Sequence, residues 1–149
     1  MLINYGDSHY YHFPKGGVEY NEVRYKKCES TQNYEGVPNM KYCFMESALR
    51  ETWEEAGVKG RITRDLDKYY YYNDSVITDK LHQWVNKKQG KFPKSIDYYY
   101  EMTVEKVCDK WPDSNLRPRK WFDLQEFLDE LVSNGRYAHF KAVLRCNVV

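Results

Sequence analysis

Long apolar runs are missing from this chain of 149 residues. Nothing in it approaches the ~18–20 apolar residues that span a bilayer, and the opening MLINYGD lacks the charged start and apolar h-region of a secretory signal. The expectation is an intracellular protein, cytoplasmic with the nucleus as a second compartment, and without a membrane partner. Cysteine is sparse as well: Cys28, Cys43, Cys108 and Cys146 form no C-x-x-C pair and no zinc-like spacing. Reduced thiols are therefore expected in place of disulfides or a metal knuckle. His9 and His12 in HYYH have no acidic partner at a metal-ligand spacing, which argues against a histidine metal site. Nor does one sign of charge dominate, since the formal net charge is +1. The basic residues are too few for a nucleic-acid module, and an acidic helix in the middle of the chain repels a phosphate backbone when no metal is bound.

What is present reads as one domain, residues 1–149, with ordinary proportions of apolar (42%) and charged (30%) residues for a globular chain. Residues 1–13 suggest a strand, or a strand and turn, ending in the loop signal FPKGG. From Val18 to about Tyr42 the chain is polar and aperiodic, as in a long loop. RITRDLDKYYYYNDSV and IDYYYEMTVEKV have strong strand propensity, with a charged connection between them. The tyrosine runs fit a half-buried strand better than a base-stacking platform. WFDLQEFLDELVSNG sets Asp123 and Glu126 at capping-box spacing, puts Leu124, Phe127, Leu128, Leu131 and Val132 on one stripe and stops at Asn134-Gly135. RYAHFKAVLRC predicts a further short helix. Helices and strands mix without repeats, which points to a two- or three-layer α/β domain.

The stretch ESALRETWEEAGVKG raises a problem of its own. Met45, Ala48, Leu49, Thr52, Trp53 and Ala56 recur at helical spacing and predict the core-facing stripe. Glu51, Glu54 and Glu55 then share another face, where each like-charge pair costs roughly 0.2–0.5 kcal/mol. Gly57 marks the C-cap, so these acids occupy the last turns, where the macrodipole also disfavours negative charge. Arg50, four residues from both Glu46 and Glu54, offsets only part of this. A solvated acidic face is the ordinary reading of such a helix; a divalent cation held by hard carboxylate oxygens is the other.

The rest of the chain bears on that choice. RETWEEAGV, Arg50 to Val58, together with Gly16 and Glu22 in GGVEYNE, resembles the Nudix signature G-x5-E-x7-R-E-U-x-E-E-x-G-U, with Thr52 the soft match. Between the halves lie residues 23–49, 27 residues where the pattern has seven, so an insertion is expected around 23–43. FPKGGVE, ALRETWEEAGV and YYYEMTVEKVCDKWPDSNLRPRKWF are similar to the fungal branch of the diphosphoinositol polyphosphate phosphohydrolases, which also cleave diadenosine polyphosphates. The resemblance implies an α+β fold, a Nudix-type α-β-α sandwich with a mixed sheet. Only thirteen residues precede Pro14, so the usual extra N-terminal strand is expected to be lacking or cut short.

The same resemblance implies a metal-dependent pyrophosphohydrolase acting on a small polyphosphorylated molecule. Glu51, Glu54 and Glu55 would hold Mg²⁺ or Mn²⁺, with one carboxylate as general base through a metal-bound water, and Arg50 would orient them by a salt bridge. Gly16 and Gly17 would let backbone approach the phosphates closely. Lys15, Arg117, Arg119 and Lys120 would grip the remaining phosphate charge, whereas Lys87, Lys88, Lys91 and Lys94 read as a solvated insert, and Trp121 and Phe122 as core. The competing expectation is a catalytically weak or inactive domain that binds polyphosphorylated ligands or a protein partner. Such a domain has no chemical need of three clustered acids.

Overall fold

The computed structural model describes residues 2–4, 11–18, 40–72, 75–79, 81–83, 90, 92–133 and 135–146. Its elements in chain order are β1 (Leu2–Asn4), β2 (Tyr11–His12), α1 (Met40–Ala56), β3 (Val58–Tyr71), β4 (Val76–Thr78), β5 (Ser95–Val107), β6 (Arg119–Lys120), α2 (Leu124–Ser133) and α3 (Tyr137–Val143). The fold is α+β. Its two three-stranded sheets have the orders β2-β1-β6 and β4-β3-β5, and the ladders with described register are antiparallel. The chain forms two compact units, Met1–Ile62 with Met102–Asp123, and Thr63–Glu101 with Leu124–Val149. Most of the expected insertion, residues 23–39, lies outside the described residues.

The first unit contains α1 and the sheet β2-β1-β6. Isoleucine, threonine, valine and tyrosine favour the extended chain of β3 and β5, and Gly60 lets the two strands close up, because a Cβ there would collide with the Thr103 carbonyl. Helix formers carry α1 back to Met40, so residues 40–42, expected in a loop, belong to its first turn. The stripe expected to face the core is only partly buried. Cys43, Ser47, Glu55 and Ala56 are the buried positions, so the face through 43, 47, 51 and 55 turns inward. Polar partners on other segments make this burial tolerable, and they are the substance of the site below. Beyond the helix, Ala56 and Val58 pack with Met102. Phe122 meets Tyr11 edge-on at 5.2 Å, but Trp121, expected in the core, is 49% exposed, because neighbouring extended residues point to opposite sides.

In the second unit Tyr69 to Tyr71 pair with Thr78 to Val76, and Tyr69 and Tyr70 are both buried. Three of the four tyrosines of the run, Tyr69 to Tyr71, are thus strand. Phe127 and Leu131 of α2 and Ala138, His139, Ala142 and Val143 of α3 are buried, while Leu124 and Val132, both assigned to the apolar stripe of α2, are exposed. Gly135, at φ +64°, ends α2: its N–H reaches the Val132 carbonyl at 3.1 Å and the Arg136 N–H reaches that of Leu131 at 2.8 Å. These are the two bonds of a Schellman cap. The Tyr99 hydroxyl lies 3.3 Å from both the Tyr71 hydroxyl and His139 Nδ1, and burial pushes its pKa up.

Asp79 accepts hydrogen bonds from the Tyr70 hydroxyl at 2.5 Å and from Gln83 at 3.2 Å, and pairs with Lys68 at 3.0 Å. The Tyr70 bond first, then Lys68, hold its carboxyl below the usual range. A carboxyl with a lowered folded-state pKa stabilises the fold above its ordinary value, and that contribution disappears as pH falls through the lowered one. Asp79→Asn is therefore expected to lose stability at neutral pH, by under ~1 kcal/mol because the pair is partly exposed, with the gap to wild type closing below about pH 4. Urea unfolding at the two pH values checks this; a gap that widens in acid contradicts it.

Candidate functional site at the end of the acidic helix

The candidate site is built on the last two turns of α1. An α-helix leaves its final carbonyls without intrahelical partners, and here each of them meets a donor. The Trp53 carbonyl receives the Gly57 N–H at 2.9 Å, that of Glu54 the Asp113 N–H at 3.0 Å, and that of Gly57 the Cys108 N–H at 2.9 Å. The Trp111 indole donates to the Glu55 carbonyl at 3.0 Å, and Arg119 Nη1 to that of Ala56 at 2.8 Å. Gly57 has φ +65°, and a Cβ there would stand 2.8 Å from the Trp111 ring. A side chain is excluded on both counts. The Arg119 guanidinium also rests over the Trp111 ring, 4.3 Å from its centroid, bringing positive charge to the end of the helix that favours it. The tract WPDSNLRPRK is thus the cap of α1. In the sequence it stood out only as a family resemblance, because recognition of main-chain carbonyls leaves no periodicity.

The acids divide their partners. Arg50 Nη1 is 2.8 Å from Glu51 Oε1 and 2.7 Å from Glu54 Oε2, while its Nη2 donates to the Gly17 carbonyl at 3.1 Å. Ser47, absent from the sequence reading, donates to the same carbonyl at 3.0 Å. Gly16 lies so close to the Glu51 carboxylate that an added Cβ would collide with it. The Gly16-Gly17 loop is therefore seated on the acidic face, fixed by Arg50 and Ser47, and Gly16 is needed for the approach. Glu55 is 2% exposed. Its carboxylate accepts the Lys15 N–H at 2.8 Å and forms an ion pair with Arg117, which also pairs with Asp113 at 3.3 Å.

Fitness for a metal follows from this donor set. Glu51 and Glu54 present two hard oxygens to one positive nitrogen, the kind of donor pair that divalent cations take together with water and phosphate oxygens. Among the described residues no group of three His, Cys, Asp or Glu is gathered for a metal, since Glu55 is turned to Arg117. The structure thus brings Lys15, Gly16, Gly17, Arg50, Glu51, Glu54, Glu55 and Arg117 together. Arg119 sits behind them at the helix end, and Lys120 lies 4.2 Å from the Phe122 ring centroid and 6.0 Å from that of Tyr11. Glu22 lies outside the described residues, as do Lys87, Lys88 and Lys91; Lys94 is exposed.

Breaking a buried ion pair from one side costs about 3–5 kcal/mol, because a charge stays buried without its counter-ion. Arg117→Ala is expected to fall near the lower end of that range, and Glu55→Gln in the Arg117→Ala background to recover much of the loss. Urea unfolding of the two variants provides the measurement. A loss below ~1 kcal/mol for Arg117→Ala would show that the Glu55 charge is met by other groups.

No family profile matches the chain. It is 36% identical over 90 residues to Nudix hydrolase 21, chloroplastic, of Arabidopsis thaliana, covering 60% of this chain and 37% of the relative. It is 27% identical over 129 residues to Nudix hydrolase 18, mitochondrial, of the same plant, covering 87% and 53%. Diphosphoinositol polyphosphate phosphohydrolase 3-alpha of Homo sapiens is 31% identical over 87 residues, covering 57% and 42%. The chain spans about half or less of the length of these curated relatives. By these similarities the chain is a homologue of the Nudix hydrolases, the diphosphoinositol polyphosphate phosphohydrolases among them.

Proposed function

We propose that the chain is a divalent-metal-dependent pyrophosphohydrolase that cleaves the phosphoanhydride of diphosphoinositol polyphosphates, with diadenosine polyphosphates as a second substrate class. The observation that carries the reading is the Gly16-Gly17 loop seated on Glu51 and Arg50, beside a carboxylate pair that shares one positive centre. The human relatives named as diphosphoinositol polyphosphate phosphohydrolases support the substrate class.

In this reading Glu51 and Glu54 would hold Mg²⁺ or Mn²⁺, while Glu55 stays bound to Arg117 and the Lys15 N–H and anchors the end of the set. When bound, the ion offsets charge growing on the phosphoryl oxygens and acidifies water. Arg50 keeps the two carboxylates from repelling each other apart. Gly17, where an added Cβ would meet nothing within 4 Å, leaves open space beside the acids for the anhydride, and a carboxylate of the set takes the proton of the attacking water as the new P–O bond forms and the anhydride P–O bond breaks. Exposed Lys15 and Lys120 supply cations for the phosphates that surround the reacting one, whereas Arg117 is engaged by Glu55 and Asp113.

Incubation with a diphosphoinositol polyphosphate and, separately, a diadenosine polyphosphate tests this. Phosphate or nucleotide release is expected with Mg²⁺ or Mn²⁺, to be abolished by EDTA and to fall by roughly 10²-fold or more in Glu54→Gln. A folded wild type that binds these ligands and releases nothing with either metal would replace the enzyme with a binding domain.

A further inference from the structure

Glu54 and Glu55 stand on the final turn of α1, the part of a helix whose carbonyls lack internal partners and which frays first. A misplacement of about 1 Å in a catalytic constellation can cost on the order of 10²-fold in rate. Some feature outside the helix must hold that turn still. The carbonyls that define it belong to Glu54, Glu55 and Ala56, and they are taken by the Asp113 N–H, the Trp111 indole and the Arg119 guanidinium. Two of these three donors are side chains, and they are stacked on each other.

We propose that Trp111 and Arg119 are positioning residues that clamp the carbonyl end of α1 and thereby fix Glu54 and Glu55, and that Arg119 acts through the helix without gripping the polyphosphate. The inference rests on the hydrolase reading for its kinetic consequence. Arg119 is committed on two sides, its Nη1 to a carbonyl of the fully buried Ala56 and its plane to the Trp111 ring. Its backbone is tied as well, since Arg119 stands opposite Ile3 in the β1-β6 ladder. Losing the guanidinium leaves a buried carbonyl unsatisfied, and the turn relaxes to find another donor. The carboxylates move with it.

A positioning role and a phosphate-binding role separate in kinetics. Loss of an arginine that binds phosphate raises KM, more steeply for the more highly charged ligand. Loss of a clamp on the acids lowers kcat and weakens metal binding, to a similar degree for both substrates. The test uses Trp111→Phe, which keeps an aromatic ring in contact with Arg119 while removing the indole N–H with its five-membered ring, together with Arg119→Ala and Arg119→Lys. Steady-state kinetics on both substrates with Mg²⁺ is paired with Mn²⁺ titration by electron paramagnetic resonance in the absence of substrate.

Trp111→Phe and Arg119→Ala are expected to lower kcat by roughly 10- to 100-fold with KM little changed, and to weaken Mn²⁺ binding. Arg119→Lys, which restores a cationic donor near the Ala56 carbonyl, is expected to recover part of both. Should Arg119→Ala fail to fold, Trp111→Phe carries the comparison. Unchanged kcat with KM raised selectively for the inositol ligand in Arg119→Ala overturns the proposal and returns Arg119 to the phosphates. A wild type that binds Mn²⁺ but cleaves neither substrate removes the hydrolase reading alone; weakened Mn²⁺ binding in Trp111→Phe then still supports the clamp, and unchanged binding overturns it. A wild type with neither turnover nor Mn²⁺ binding overturns both.

Discussion

A helix that ends inside a protein has to pass its last carbonyls to donors elsewhere in the chain. At the end of α1 the carbonyls of Glu54, Glu55, Ala56 and Gly57 are all passed on in this way. Much of the unit follows from that constraint. Gly57 can carry no side chain because the Trp111 ring must come close; β5 leads into Cys108, whose N–H closes the Gly57 carbonyl; and β6 begins at Arg119, which closes that of Ala56. The macrodipole is met by a cation at the end where Glu54 and Glu55 alone would be disfavoured.

With the helix end settled, its acidic face can be turned inward. A carboxylate as buried as Glu55 survives only if its charge is met, and here one oxygen takes a main-chain N–H and the other an arginine. Glu51 and Glu54 remain nearer solvent and share Arg50. The division is functional in form: one acid is built into the packing, and two are left where a ligand can reach them. Arg50 and Ser47 extend the arrangement to the Gly17 carbonyl, so the glycine loop and the acids are positioned by the same residues.

These features were not equally legible in the sequence. Gly57 announced the end of α1, and isoleucine, valine and tyrosine announced β3 and β5, because local propensity and the demand for a positive φ act within a few residues. The choice of buried face on α1 was not legible. Apolar periodicity selected Met45, Ala48, Leu49, Thr52 and Trp53, yet the partners that make burial of the acidic face affordable lie far away in the chain, with Lys15 forty positions from Glu55. The Glu51, Glu54 and Glu55 cluster was visible as a spacing, while Ser47, Trp111 and Asp113 were not, since their bonds are to or from main chain. Lys15, Gly16, Gly17 and Arg117, expected around the substrate from their residue types, stand beside the acids, and what each one touches had to come from the structure.

The cap on α1 also orders events in time. Its side-chain donors lie 56 and 63 positions beyond the carbonyls they satisfy. As the chain leaves the ribosome, the acidic helix can coil as soon as it emerges, but its last turn has no finished end until the polypeptide has been made as far as Arg119. Contacts of such long sequence separation close slowly, because the intervening loop entropy must be lost before the contact repays it. The acidic turn of α1 is therefore among the last parts of its unit to become fixed, and a chain interrupted before Trp111 has the acids in sequence without the donors that complete their turn.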